Sequence, residues 1–95
     1  MTAYVIGEID VTDPAGYEEY RKQVLATVQK YGGCFLARGG RAEALEGAAP
    51  PKRVVVLEFP SYERALEWYR STEYAPLIKL RQKASRGRLL LAEGA

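Results

Sequence analysis

A chain of 95 residues suits one domain and leaves little room for a second that folds by itself. It has no His and only one Cys, Cys34, which excludes a Ser-His-Asp triad, a Cys-His dyad, a His-ligated haem, a His-based zinc site and an intrachain disulfide within this chain. The net charge of +2, with 27% charged residues, describes an ordinary surface, too weakly basic to argue for nucleic acid unless the charge is clustered.

Residues 3–11 alternate imperfectly. Ala3, Val5, Gly7, Ile9 and Val11 form an apolar face, and Tyr4, Ile6, Glu8 and Asp10 a mixed one, which predicts a strand with one side in the core. Asp13-Pro14 supplies an N-cap with proline at the first helical position. Tyr17, Tyr20, Val24, Val28 and Tyr31 then recur at helical spacing, and Gly32 is placed to end the helix in a left-handed conformation. Gly33 to Gly47 reads as one long strand bent at Gly39-Gly40, with a turn at Ala48-Ala49-Pro50-Pro51. Residues 52–59, apolar on both faces at Val54-Val55-Val56-Leu57, predict a central strand.

Pro60 stops that strand, and Ser61 caps a helix with Tyr62, Ala65, Leu66 and Tyr69 on one face. Ser71-Thr72-Glu73 reads as a break and a fresh cap before a helix from about Tyr74 to Ser85, with Leu77, Leu80, Arg81 and Ala84 on its stripe. Arg86 to Glu93 forms the last strand. The cluster of Arg81, Lys83, Arg86 and Arg88 reads as a solvated helix end that complements the helix dipole rather than as a polyanion site. No run reaches the roughly 18 apolar residues of a membrane span. Met1-Thr2-Ala3-Tyr4-Val5 lacks the basic stretch and cleavage signature of a leader, and a single unpaired Cys fits a reducing compartment, so the expected location is the cytoplasm.

The order is βαββαβ with the second helical stretch broken in two. It predicts a ferredoxin-like α+β fold over residues 1–95, a four-stranded antiparallel sheet of order 4-1-3-2 with both helical layers on one face. The uncovered face should carry Tyr4, Ile6 and Glu8, then Cys34, Leu36 and Arg38, then Val54, Val56 and Glu58. That is too apolar to leave in water, so two copies should pack face to face as a homodimer.

The sequence resembles the DUF1330 family, a set of small proteins of unknown function. The resemblance rests on Asp13-Pro14 with Tyr17 and Tyr20, Tyr31-Gly32-Gly33, Phe35-Leu36-Ala37-Arg38-Gly39-Gly40 and Leu45-Glu46-Gly47. It continues through Arg53 with Val54-Val55-Val56, Glu58-Phe59-Pro60-Ser61, Ala65, Trp68-Tyr69, Tyr74 and Arg81. It implies the dimeric α+β barrel superfamily, in which two ferredoxin-like sheets close around internal pockets. That superfamily includes cofactor-less monooxygenases, muconolactone isomerase-like enzymes and haem proteins.

The candidate site is a convergence of Glu58, Tyr4 and Arg38. Glu58 lies beside Tyr4 if the first and third strands pair around Ile6 and Val56, and Arg38 or Arg41 approaches from the second strand. A half-buried carboxylate tuned by an arginine and a phenol can act as a general base or anchor a ligand. The plainer reading is an ion pair that fixes dimer register, because a buried carboxylate needs a partner whether or not it catalyses. Trp68 and Tyr74 flank the helix break and can wall a pocket, although packing is the more frequent role of such rings. Cys34 has no His to activate it and reads as an inert small side chain. The glycine pairs do not have phosphate-loop spacing.

Three functions compete. The first is a homodimer that binds a small organic molecule at the sheet face or dimer interface, with cofactor-independent oxygenation or isomerisation as the superfamily's precedent. It needs no cofactor and no metal; haem is disfavoured without His, although Tyr or Cys ligation stays open. The second is a non-enzymatic homodimeric structural or accessory module. The third, an RNA-binding domain of the same strand order, lacks the required aromatic pattern in Lys52-Arg-Val-Val-Val-Leu-Glu-Phe59, so no nucleic-acid or membrane partner is expected.

Overall fold

The computed structural model describes residues 1–48 and 53–95. In chain order the elements are β1 (Ala3–Val11), α1 (Pro14–Lys30), β2 (Cys34–Arg38), β3 (Arg53–Phe59), α2 (Tyr62–Tyr69), α3 (Ala75–Ala84) and β4 (Ser85–Glu93). The four strands form one antiparallel sheet in the order β2-β3-β1-β4, which is the expected topology.

Local signals start and stop the helices where the residues predict. A side-chain oxygen of Asp13 accepts from the Gly16 amide at 3.2 Å, and Ser61 Oγ accepts from the Arg64 amide at 3.1 Å. Gly32 adopts a φ of +79°, and the Gly33 amide returns to the Val28 carbonyl at 3.0 Å, closing α1 in the left-handed manner. Between α2 and α3, Ser71 Oγ donates to the Trp68 carbonyl at 2.7 Å and accepts from the Tyr74 amide at 3.2 Å. One buried hydroxyl thus ties the end of α2 to the turn that leads into α3.

The core lies between the sheet and the helices. Val5, Ile9, Leu57 and Phe59 supply the sheet side, and Tyr17, Tyr20, Val24 and Val28 the α1 side. Ala65 and Trp68 of α2, Tyr74, and Leu77 and Ala84 of α3 complete it. At Gly87, φ is +144° and a Cβ would stand 1.9 Å from the Glu8 carbonyl oxygen, so only glycine lets β4 approach β1 this closely.

Three expectations are corrected. The long strand from Gly33 to Gly47 is only Cys34–Arg38; residues 39–48 form no strand. Its interruption is a bulge: Phe35 pairs with Leu57 but Ala37 with Val56, so Leu36 is the extra residue and the register slips before the glycine pair. On α2 the buried line is Ala65 and Trp68, while Tyr62 and Tyr69 stay 37% and 38% exposed. The indole buries the larger apolar surface, and its N–H finds Thr27, so the helix turns that face inward. The predicted turn at Ala48-Ala49-Pro50-Pro51 falls largely outside the described residues.

Candidate functional site

The bulge at Leu36 decides which side of the sheet receives Arg38. Without it, the period of two would place Arg38 with Cys34 and Leu36 on the open face. With it, Arg38 stands opposite Val55, on the side covered by helices. Its guanidinium lies 4.2 Å from the centre of the Phe35 ring and donates to the Arg21 carbonyl of α1 at 2.9 Å. The expected meeting of Arg38 with Glu58 and Tyr4 therefore does not occur.

Arg38 instead joins the wall of a cavity between the sheet and the helices. Tyr17, Tyr20 and Val24 of α1 line it from above, and Val5, Val55, Leu57 and Leu89 from the sheet. Trp68 and Tyr74 stack at 4.1 Å between ring centres, 29° from parallel, and form its far wall. Trp68 Nε1 donates to Thr27 Oγ1 at 3.0 Å, which fixes the indole plane. The hydroxyls of Tyr20 and Tyr74 are 2.8 Å apart. A hydroxyl pair uses one of its two protons between its members and leaves the other for a further acceptor.

Arg53 and Arg81, which are not among the candidate residues expected above, also line the cavity. The Nε of each is buried with no hydrogen-bond partner. Arg81 is 7% exposed. Arg53 spreads over the Tyr17 ring at 5.2 Å. It also covers Gly39, whose φ is +80° and where a Cβ would press into the guanidinium. A signal for both was legible: Arg53 is in phase with Val55 and Leu57, and Arg81 stands on the apolar stripe of its helix. A charged residue in phase with a core face is either paired or waiting for a partner.

No carboxylate appears among the described residues lining this cavity, whereas Arg21, Arg38, Arg53 and Arg81 all do. Burial, reinforced by the Arg21 and Arg53 charges, holds Arg38 below the usual arginine range. Burial, with the neighbouring Tyr74, pushes Tyr20 above the usual tyrosine range. Burial likewise raises Tyr74, against the hydrogen bond from Tyr20 and the Arg81 charge. Both phenols are thus neutral donors near pH 7, and the described lining residues include no general base for proton abstraction. The cavity is about 30 Å³, and it shares the wall formed by Val5, Trp68, Arg81 and Leu89 with a groove of about 470 Å³ beside β4.

On the open face, Tyr4 pairs with Glu58, Ile6 with Val56 and Glu8 with Val54, the expected register. Cys34, exposed, stands opposite Glu58 on the other side. Glu8 accepts from Arg88 Nε at 3.1 Å, and Thr2 Oγ1 donates to the Tyr4 hydroxyl at 3.3 Å. Leu36 and Leu90 are 55% and 42% exposed there. Of the five candidate residues, the fold thus places Arg38, Trp68 and Tyr74 around the covered cavity, and Tyr4 and Glu58 on the opposite side of the sheet. Among the described residues, no three His, Cys, Asp or Glu cluster as a metal site, and no helix is long and apolar enough to cross a membrane.

The family described as "Domain of unknown function (DUF1330)" matches residues 2–95. The chain belongs to the DUF1330 family. No curated protein sequence matches it. Among solved structures, this DUF1330 chain is similar to RPA0582, a protein of unknown function from Rhodopseudomonas palustris. The identity is 18% and the TM-score 0.80, over 99% of this chain and 82% of that one. It is also similar to SnoaB, a cofactor-independent oxygenase from Streptomyces nogalater (12% identity, TM-score 0.68, 99% and 93% covered). HapK from Hahella chejuensis is a further likeness (15% identity, TM-score 0.60, 98% and 92% covered). At these identities the likeness is one of fold, that of the dimeric α+β barrel proteins.

Proposed function

We propose that this DUF1330 chain is a homodimer that holds a small organic molecule between the sheet and the helices of each subunit. The observation that carries the reading is the cavity itself. Aromatic rings from α1, α2 and the α2–α3 break enclose it, and two buried guanidinium nitrogens in its wall lack partners. Unpartnered buried donors are costly unless a ligand or water completes them. The cavity of about 30 Å³ has room for about two waters, so an organic ligand widens it on entry. The part most easily displaced is the mouth, where Arg38 and Arg53 lie on long, half-buried side chains.

The dimer reading rests on the open face. Ile6, Leu36, Val54, Val56 and Leu90 make an apolar strip that no described element of this chain covers, flanked by Glu8 and Arg88 of opposite charge. A strip of that make-up is self-complementary about a two-fold axis, with like strips in the centre and opposite charges at the rims. In such a dimer, Tyr4 and Glu58 sit at the junction of the sheets and set register.

A second reading, cofactor-independent oxygenation, draws on the likeness to SnoaB. It requires a substrate that ionises without a protein base, since the described cavity residues supply only arginines and neutral phenols. Binding alone, in a sensor or an accessory protein, requires nothing further.

Native mass spectrometry of protein purified from cells tests the proposal. The expected spectrum is a dimer carrying retained small-molecule mass, or a dimer whose melting temperature rises with added aromatic ligands. A monomer at micromolar concentration, inert to every ligand, would sink it.

A further inference from the structure

We infer that the ligand of this cavity is an organic anion: a carboxylate on a flat, largely apolar body, with its charged end held by Arg38 and Arg53. The inference rests on the proposed ligand-binding role and narrows it to one chemical class.

The placement comes from the strands. Arg38 stands opposite Val55, and Arg53 lies two residues before Val55 on β3, on the same covered side. Such diagonal neighbours on adjacent strands are about 7–8 Å apart at the backbone, a span that two long side chains close around one carboxylate. Arg21 of α1 joins them at the same end. Its ion pair with Glu18, at 3.6 Å, lies on the solvent side with both partners about half exposed. Three guanidinium groups thus meet at the mouth without an acid among the described lining residues.

Guanidinium is the side chain best matched to a carboxylate, because its planar fork donates two parallel hydrogen bonds. The rings of Phe35 and Tyr17 beneath Arg38 and Arg53 hold the forks flat. Their alignment continues inward: Tyr17, Tyr20, Trp68 and Tyr74 offer π-faces to a planar body. At the deep end, the spare proton of the Tyr20–Tyr74 pair and the buried Arg81 Nε offer donors to a second polar atom. Every polar side chain described around the space carries a donor and none carries a negative charge, so an anionic ligand that carries acceptors fits it and a cationic one does not.

Calorimetric titration of the intact protein with three matched pairs tests this: benzoate and benzamide, 2-naphthoate and 2-naphthamide, indole-3-acetate and indole-3-acetamide. The expected result is that at least one carboxylate binds about tenfold or more tightly than its amide, the size of a charge-assisted hydrogen-bond contribution. Arg38→Gln should erase that preference, Arg38→Lys should restore part of it, and Arg64→Gln, on the outer surface of α2, should leave it intact. Circular dichroism of each variant confirms that it folds. Equal binding of acid and amide would overturn the anion assignment and leave the ligand cavity standing. A carboxylate preference that survives in a folded Arg38→Gln variant would also overturn it. Failure of all six compounds to bind at millimolar concentration would remove both this inference and the cavity's proposed role.

Discussion

On its covered side the sheet sends Val5, Phe35, Arg38, Arg53, Val55 and Leu57 toward the aromatic rings of the helices. On the open side, β1, β2 and β3 carry Tyr4, Ile6, Glu8, Cys34, Val54, Val56 and Glu58. The same three strands therefore sort the charges described above: guanidinium groups lie on one side and carboxylates on the other. The proposed function gives each side its own use. The covered side holds a space whose described lining carries arginines and no carboxylate, suited to a ligand. The open side is an aliphatic strip edged with both signs, suited to another copy of itself. A ligand-binding defect and an assembly defect should consequently arise from different residues.

The largest expected effect tests the covered side. Trp68→Ala removes a fully buried indole together with its stack on Tyr74 and its hydrogen bond to Thr27, and should cost about 3–5 kcal/mol. Urea unfolding measures this; a cost below about 1 kcal/mol would mean that the rings are not the keystone of that side. Next, Val56→Lys places an ammonium in the middle of the open strip. It should weaken the dimer by at least about 2 kcal/mol, read by sedimentation equilibrium, while the ligand cavity keeps its affinity. If ligand binding falls in step with dissociation, the two sides are not independent.

Smaller effects sharpen the picture. Tyr20→Phe removes the hydroxyl pair and should cost about 1 kcal/mol at neutral pH. Both phenols ionise less readily in the folded chain than at their ordinary value of 10.0. Above about pH 10 the unfolded chain therefore binds fewer protons than the folded one, and stability falls as pH rises. Melting temperature should hold steady below that point and decline above it, less steeply in Tyr20→Phe. The smallest change expected is from Glu58→Gln: ligand affinity unaltered by calorimetry and dimer strength within about 0.5 kcal/mol. A loss of ligand binding in this variant would reconnect the two sides.

Much of this was legible in the residues. Alternation in Ala3–Val11 and the apolar run before Phe59 yield the β1–β3 register down to Tyr4 opposite Glu58. Asp13, Gly32 and Ser61 mark helix ends because capping is local chemistry. The bulge was not legible in the same way. Leu36 is an ordinary strand residue, and the glycine pair beside it advertises a bend in the wrong place. One displaced residue was enough to move Arg38 across the sheet and split the expected triad of Glu58, Tyr4 and Arg38. The inward turn of Trp68 was obscured because Tyr62 and Tyr69 offer α2 a competing apolar stripe, and the partner that the indole N–H finds at Thr27 lies far away in the sequence.

Trp68 has a practical consequence. It is the only tryptophan in the chain, and it forms part of the cavity wall while remaining 1% exposed. Excitation at the red edge of protein absorbance therefore reads one ring in one place. Its emission should be blue-shifted in the folded protein and quenched by any flat molecule sliding against Tyr74. The protein thus carries its own fluorophore at the position of the proposed ligand, and needs no label to report it.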